Sequence, residues 1–168
     1  MIKKVTLLSV ALLTFATPAK ANNSLSCMAL NIYHEARNQS IAGQVAVALV
    51  VINRVKDERY PNTVCDVILQ GPHRRHWKDK TRMIPVRHKC QFSWYCDGKS
   101  DKVKDIQAYQ TAEDISNVVI GTNGTFDFTS GATHYHTINV YPEWADTKTR
   151  TTRIEDHIFY RWESKEKQ

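Results

Sequence analysis

From about Ser24 the apolar residues Leu25, Met28, Ala29, Ile32 and Ala36 recur at helical spacing, which predicts an amphipathic helix running to about Arg37. The chain then turns at Asn38-Gln39-Ser40 and enters eight consecutive apolar residues, Val45 to Ile52. Periodicity alone does not separate a buried strand from a buried helix there. The alanines, Ser40 as a candidate N-cap and the polar continuation Asn53-Arg54 to Lys56 favour a helix buried on nearly all sides. Tyr60 to Thr63 reads as a break and cap before a short third helix, Val64 to Gln70, which Gly71-Pro72 stops.

Residues 73 to 89 show no clean period and read as loop. Asp101 to Ile120 predicts a longer helix, with Val103, Ile106, Ile115, Val118 and Val119 near one face and Gly121 to Gly124 at its end. Thereafter the pattern shortens to β-prone runs, Thr133 to Thr137, Thr149 to Ile154 and His157 to Trp162, the last two forming a hairpin through Glu155-Asp156. Helices first and strands last predict an α+β fold, mainly helical in its N-terminal part with a small C-terminal antiparallel β part.

The first 21 residues stand apart from this pattern. Lys3 and Lys4 precede a short apolar run, and Ala19-Lys20-Ala21 supplies a small-x-small cleavage site, as in a secretory signal peptide. The run is shorter than the ~20 residues a membrane-spanning helix needs, although a transient anchor is the minor alternative. Residues 22 to 168 are expected to form a single exported domain that acts as a monomer in the periplasm or cell envelope.

Export changes the reading of charge. Lys3, Lys4 and Lys20 supply three of the six formal positive charges. Arg74, Arg75, Lys78, Lys80, Arg82, Arg87 and Lys89, against Asp79 alone, give residues 73 to 89 a local net charge of +6, so the rest of the exported chain sums to about −3. This is one basic segment on a mildly acidic chain and not a nucleic-acid binder. It is either a solvated loop or a contact patch for the anionic envelope.

The four cysteines of an exported chain are expected to be oxidised. Cys90 and Cys96 are near enough to close a loop around Gln-Phe-Ser-Trp-Tyr, and Cys27 and Cys65 would then join the first helix to the segment after Pro61. Three connectivities are open. A cysteine zinc site is the weaker alternative, since no Cys-x-x-Cys pair is present.

Glu35 lies off the apolar stripe, one turn beyond Asn31, in the last turn of the first helix. A carboxylate there meets the negative end of the helix dipole, which raises its pKa as a general acid requires; the alternative is a surface Glu at a charged helix end.

Five blocks occur in order: Ala29-Leu-Asn-Ile-Tyr-His-Glu-Ala-Arg37, Gly43-Gln-Val-Ala-Val-Ala with Asn53-Arg54-Val55, Cys90-Gln-Phe-Ser-Trp94, Gly131-Ala-Thr-His-Tyr135 and His157-Ile-Phe-Tyr160. Together they resemble the cell wall hydrolase family of bacterial spore-cortex-lytic enzymes, over about Cys27 to Arg161. The resemblance implies a lysozyme-like, lytic-transglycosylase-like domain that cuts peptidoglycan glycan strands, with Glu35 as the catalytic acid. Family members commonly continue with Gly-Glu after that Arg, where this chain has Asn38-Gln39. Asn tolerates the left-handed backbone a Gly would take, and any part played by the Glu is vacant here.

Glycosidic cleavage needs a protonated carboxyl at the leaving oxygen, and hydrolysis usually needs a second carboxylate at fixed distance. No second acid stands out: Asp57, Glu58, Glu113 and Asp114 sit in solvated contexts and Glu143 in a loop. One acid suffices if the C6 hydroxyl of N-acetylmuramic acid attacks, leaving a 1,6-anhydro end. The favoured reading is therefore lytic transglycosylase chemistry between N-acetylmuramic acid and N-acetylglucosamine, with no cofactor and no metal. Phe92, Trp94 and Tyr135 are candidate sugar-stacking platforms, with core packing as the alternative. Gln91, Ser93, Thr133 and His134 are candidate hydrogen-bonding partners for the glycan, while Trp77, Trp144 and Trp162 are assigned to packing or surface.

Two other classes stay open. His134-Tyr-His136 puts two imidazoles on one strand face, and His73, His76, His88 or His157 would add a third in a zinc-dependent N-acetylmuramoyl-L-alanine amidase. A non-catalytic wall-binding module would use Phe92 and Trp94 alone.

Overall fold

The computed structural model describes residues 19–163, with side chains from Asn23 onward. Most of the leader segment, residues 1–18, lies outside the described residues, and its predicted cleavage point falls in the first turn of α1 (Ala19–Ala36). Met28, Ala29, Ile32 and Ala36 are fully buried, as their spacing predicts.

Helix α2 (Ile41–Lys56) is the centre of the molecule. Every residue from Ala46 to Ile52 is buried, because the sequence offers no polar face to turn outward. One side, Ala48, Leu49, Val51 and Ile52, packs with Met28, Ile32, Val67, Ile68, Ala112 and Ile115; the other, Ala46 and Val50, packs with Ala132 and Phe159. The Ser40 side chain accepts from the Gly43 backbone N–H, and the Ser40 N–H donates to Glu155 at 2.8 Å. Gly43 is needed at this junction, since a Cβ there would lie 2.9 Å from the Gln39 side chain and 3.3 Å from the Glu155 carboxylate. Asn38 does not adopt the left-handed backbone expected of it: the turn is closed by Gln39 N–H donating to the Ala36 carbonyl, and the Gln39 side chain reaches Asp156.

The short helix α3 (Val64–Ile68) is capped by Thr63, whose hydroxyl accepts from Asp66 N–H. Residues 73 to 89 are not all loop. β1 (His73–Arg75) and β2 (Met83–Pro85) form an antiparallel ribbon, with Arg75 opposite Met83. Helix α4 (Ile106–Gly121) starts five residues later than its pattern suggests, at the Asp105 cap, because Lys104 and Asp105 instead donate their backbone N–H groups to the Tyr33 hydroxyl. Its buried face is Ala112, Ile115, Ser116 and Val119, which leaves Ile106 and Val118 exposed.

β3 (His134–Thr137), β4 (Thr149–Ile154) and β5 (His157–Arg161) form an antiparallel sheet in the order β3-β5-β4. The 149–161 hairpin turns at Glu155, which takes a positive φ. Its inner residue Phe159 is fully buried against α2. The predicted α+β architecture is thus the observed one.

Two disulfides complete the frame, Cys27–Cys65 between α1 and α3 and Cys90–Cys96 around the loop that holds Phe92 and Trp94. Neither cysteine pair is left free. On a chain-entropy model, the bridge across 38 residues constrains the unfolded chain by about 4 kcal/mol and the six-residue one by about 2 kcal/mol. The double substitution Cys27→Ala/Cys65→Ala is therefore expected to lower the denaturant midpoint more than Cys90→Ala/Cys96→Ala, and equal losses in parallel urea titrations would contradict that order.

Candidate active site

Glu35 ends α1 beside a cleft of about 370 Å³ that is also lined by Tyr33, His34, Arg37, Ser93, Trp94, Asp97 and Asp101. A larger depression, about 670 Å³, lies elsewhere, among Asn53, Asp57, Arg59, Thr133, Arg161 and Trp162, and does not reach Glu35.

The far side of Glu35 is closed by the sheet. Tyr135, on β3, donates its hydroxyl to Glu35 Oε2 at 2.9 Å, across 100 residues of sequence. Arg54 is buried nearby, its Nε donating to the Thr133 carbonyl at 2.7 Å and its guanidinium lying over the Phe92 and Tyr60 rings at 5.2 and 5.4 Å. Glu35 is held above the ordinary carboxyl range, chiefly by burial; the Tyr135 hydrogen bond and the Arg54 charge pull it back down. Burial therefore outweighs the helix end as the cause. Burial and the neighbouring Glu35 charge push the Tyr135 phenol well above its usual range, so it remains a hydrogen-bond donor.

The outer wall of the cleft is Trp94. Its indole N–H donates to Asn31 Oδ1 at 3.0 Å, and its ring stacks on His34 with centroids 4.7 Å apart and planes 17° from parallel. Both contacts come from the last two turns of α1, so the helix that carries Glu35 also fixes the indole. Opposite them, His34 Nε2 meets the Asp101 carbonyl, which holds the 97–104 segment over the cleft.

The seven residues proposed from sequence as glycan contacts separate into three groups. Ser93 and Trp94 line the cleft with Glu35. Phe92 is 2 % exposed and packs inside with Arg54 over its ring, so it has no free face for a sugar. Tyr135 is likewise no platform, because its ring is packed against His157 and Phe159 and its hydroxyl is bound to Glu35. Gln91 is exposed and is not among the cleft-lining residues. Thr133 is buried, and His134 packs against Tyr60, Trp144 and Trp162 on the opposite face of β3 from Tyr135. That enclosure and the nearby Arg54 charge depress His134 to about 3, leaving it neutral.

The sequence reading missed His34, Asp97, Asp101 and Arg54. His34 and Arg54 were adjacent to or inside motifs already singled out; nothing local marks the two aspartates.

The sequence profile of the cell wall hydrolase family matches residues 38–160. The chain belongs to that family. The match begins just after Glu35, so the family profile covers α2, the Cys90–Cys96 loop and the sheet but not the acid itself. The chain is 29% identical over 142 residues to a spore cortex-lytic enzyme of Halalkalibacterium halodurans, covering 83% of this chain and 35% of that protein. A spore cortex-lytic enzyme of Bacillus subtilis is 40% identical over 50 residues, 30% of this chain and 16% of that protein. The chain thus spans about a third or less of these relatives' lengths. Among solved structures, the catalytic domain of the Bacillus cereus SleB protein superposes with a TM-score of 0.58 at 27% identity, covering 83% of this chain and 91% of that one. The catalytic domain of the germination-specific lytic transglycosylase SleB from Bacillus anthracis gives the same score and identity and covers 94% of that chain.

The raised Glu35 pKa has a definite sign for stability. Below the unfolded value of 4.5 the carboxyl is protonated in both states and burial carries no ionic penalty. As pH rises from there through the higher folded value, the unfolded chain ionises first and the folded state loses stability relative to it. Glu35→Gln is therefore expected to raise the melting temperature at neutral pH and to leave it unchanged at pH 4 and below. Thermal melts across that range check it, and a Gln variant less stable than the parent at pH 7 would contradict it.

Proposed function

We propose that this hydrolase cleaves peptidoglycan glycan strands between N-acetylmuramic acid and N-acetylglucosamine by lytic transglycosylase chemistry, with Glu35 as the single acid and base. The observation that carries the reading is a carboxyl kept high by burial, bonded to Tyr135, and open on one side to a cleft walled by Trp94. The names of the SleB and spore cortex-lytic relatives support it.

In the first half-reaction, protonated Glu35 gives its proton to the bridging oxygen as the bond to the muramyl C1 breaks. The resulting carboxylate is then stabilised by the Tyr135 hydroxyl and the Arg54 charge, which act on the ionised form. In the second half, the muramyl C6 hydroxyl bonds to C1 and its proton returns to Glu35. No water is consumed and the product carries a 1,6-anhydro ring. Trp94 offers the one indole face on the cleft, and Ser93 a hydroxyl beside it.

A second reading rests on Asp97 and Asp101, which line the same cleft. Either would supply the base that activates water in an inverting hydrolysis. The zinc amidase finds less support. His136 uses both ring nitrogens, Nδ1 toward the Thr137 carbonyl and Nε2 toward the Tyr160 hydroxyl, and His134 is walled by aromatic rings.

The substrate places the site of action outside the cytoplasm, as an exported envelope enzyme. The two disulfides suit such a compartment. No helix among the described residues is long and apolar enough to cross a membrane.

Mass spectrometry of fragments released from purified peptidoglycan is expected to show 1,6-anhydromuramyl ends. Reducing ends would instead favour the aspartate-assisted hydrolysis, and free stem peptides the amidase. Glu35→Gln should lower release by about 10²- to 10⁴-fold in a folded protein. Turnover should survive exhaustive chelation; loss with rescue by zinc alone would transfer the assignment to the histidines.

A further inference from the structure

The ribbon β1–β2 and its tip do not line the cleft, and they combine clustered cations with exposed apolar side chains. Arg74, Arg75, Lys78, Lys80, Arg82, Arg87 and Lys89 are all exposed, and none of them forms a salt bridge with another of the described residues. Asp79, the one acid of the segment, is itself exposed and accepts from the Thr81 N–H and hydroxyl within the tip, so it offsets one of the seven cations at most. Two large apolar side chains project among the cations: Trp77 is 65 % exposed and Met83 55 %. Met83 lies directly opposite Arg75 in the ribbon, and Lys78 Nζ lies 4.7 Å from the Trp77 ring centroid.

Exposed apolar residues occur elsewhere on the surface, Phe126 and Tyr141 among them, but Trp77 and Met83 lie within a run of seven exposed cations. A charged wall polymer would be met by the cations alone. An exposed Trp and Met ringed by Arg and Lys fits a surface that is anionic at its face and apolar just beneath. We infer that this ribbon docks the enzyme on a phospholipid bilayer carrying anionic headgroups, with Trp77 and Met83 entering the headgroup region and the cations around them meeting the phosphates.

The ribbon's base is rigidly joined to the cleft. Val86 N–H bonds the Pro72 carbonyl, Gln91 N–H bonds the Gln70 carbonyl, and the chain then enters the Cys90–Cys96 loop that carries Trp94. Docking at the tip would therefore hold the cleft at a set distance from the membrane. This inference is independent of the chemistry assigned to Glu35.

The test is sedimentation of the disulfide-bonded protein with vesicles of phosphatidylcholine alone and of phosphatidylcholine mixed with phosphatidylglycerol. Binding is expected to the mixed vesicles only, and to weaken as salt shrinks the Debye length from about 10 Å at 0.1 M to about 3 Å at 1 M. Each cation near an anionic membrane strengthens binding about fivefold, so neutralising Arg74, Arg75, Lys78 and Lys80 to Gln together should reduce it by roughly a hundredfold or more. Trp77→Ala should weaken vesicle binding severalfold with its salt dependence intact, while binding to soluble polyphosphate stays unchanged. Melting temperatures equal to the parent's confirm folding, and cleavage of short soluble glycan fragments should be unaffected. No binding to anionic vesicles would overturn the inference. Vesicle binding indifferent to Trp77→Ala would do the same, by reducing the ribbon to an ion exchanger for any polyanion.

Discussion

Seven consecutive apolar residues in the middle of one helix, Ala46 to Ile52 of α2, have to be covered from every direction. Burying one apolar side chain is worth about 1.5–3 kcal/mol, so leaving either side of Ala46 to Ile52 in water would cost more than a small domain can spare. The chain meets the demand with two unlike partners. Helices α1, α3 and α4 cover one side, and Ala132 and Phe159 cover the other. Neither partner needs to touch its counterpart for packing reasons. They meet at Tyr135, which borders both apolar clusters and ends on Glu35.

The acid is thereby placed at a seam rather than on a surface. Its backbone belongs to the helical layer, its hydrogen-bond partner to the sheet, and its nearest buried charge, Arg54, to the helix between them. Two opposing influences act on the carboxyl. Removal from water favours the protonated form, while the phenol and the guanidinium favour the ionised one. In the proposed reaction, a group that gives a proton and then recovers it would benefit from both, since either alone would trap it in one state. Arg54 is buried with its Nε bonded to the Thr133 carbonyl, its guanidinium over the Phe92 and Tyr60 rings and its Nη1 without a hydrogen-bond partner among the described residues.

The Cys90–Cys96 loop shows how a short covalent closure divides adjacent aromatics between two jobs. Phe92 points inward under Arg54, while Trp94, two residues on, is drawn to the cleft by Asn31 and His34. The loop contains a turn of 3₁₀ helix at Ser93–Cys96, so residues two apart do not share a face as they would in a strand. The same loop anchors the base of the basic ribbon, which makes cleft and ribbon one mechanical unit.

What the sequence determined by itself is what depends on neighbours a few residues away. The α1 stripe, the all-round apolarity of α2, the Ser40 and Thr63 caps and the 149–161 hairpin each follow from local periodicity or from one side chain meeting a nearby backbone group. The late start of α4, by contrast, coincides with the distant Tyr33 hydroxyl taking the Lys104 and Asp105 N–H groups, and the face that packs inward, Ala112, Ile115 and Val119, leaves Ile106 and Val118 in solvent. The pairing of Tyr135 with Glu35, the sinking of Phe92 beneath Arg54 and the arrival of Asp97 and Asp101 at the cleft belong to the same class. Periodicity says that a side chain will be buried, but the partner it is buried against is chosen by how the layers stack. For a carboxyl, that partner sets the pKa, because the cost of its charge depends on the water it loses and the dipoles it gains.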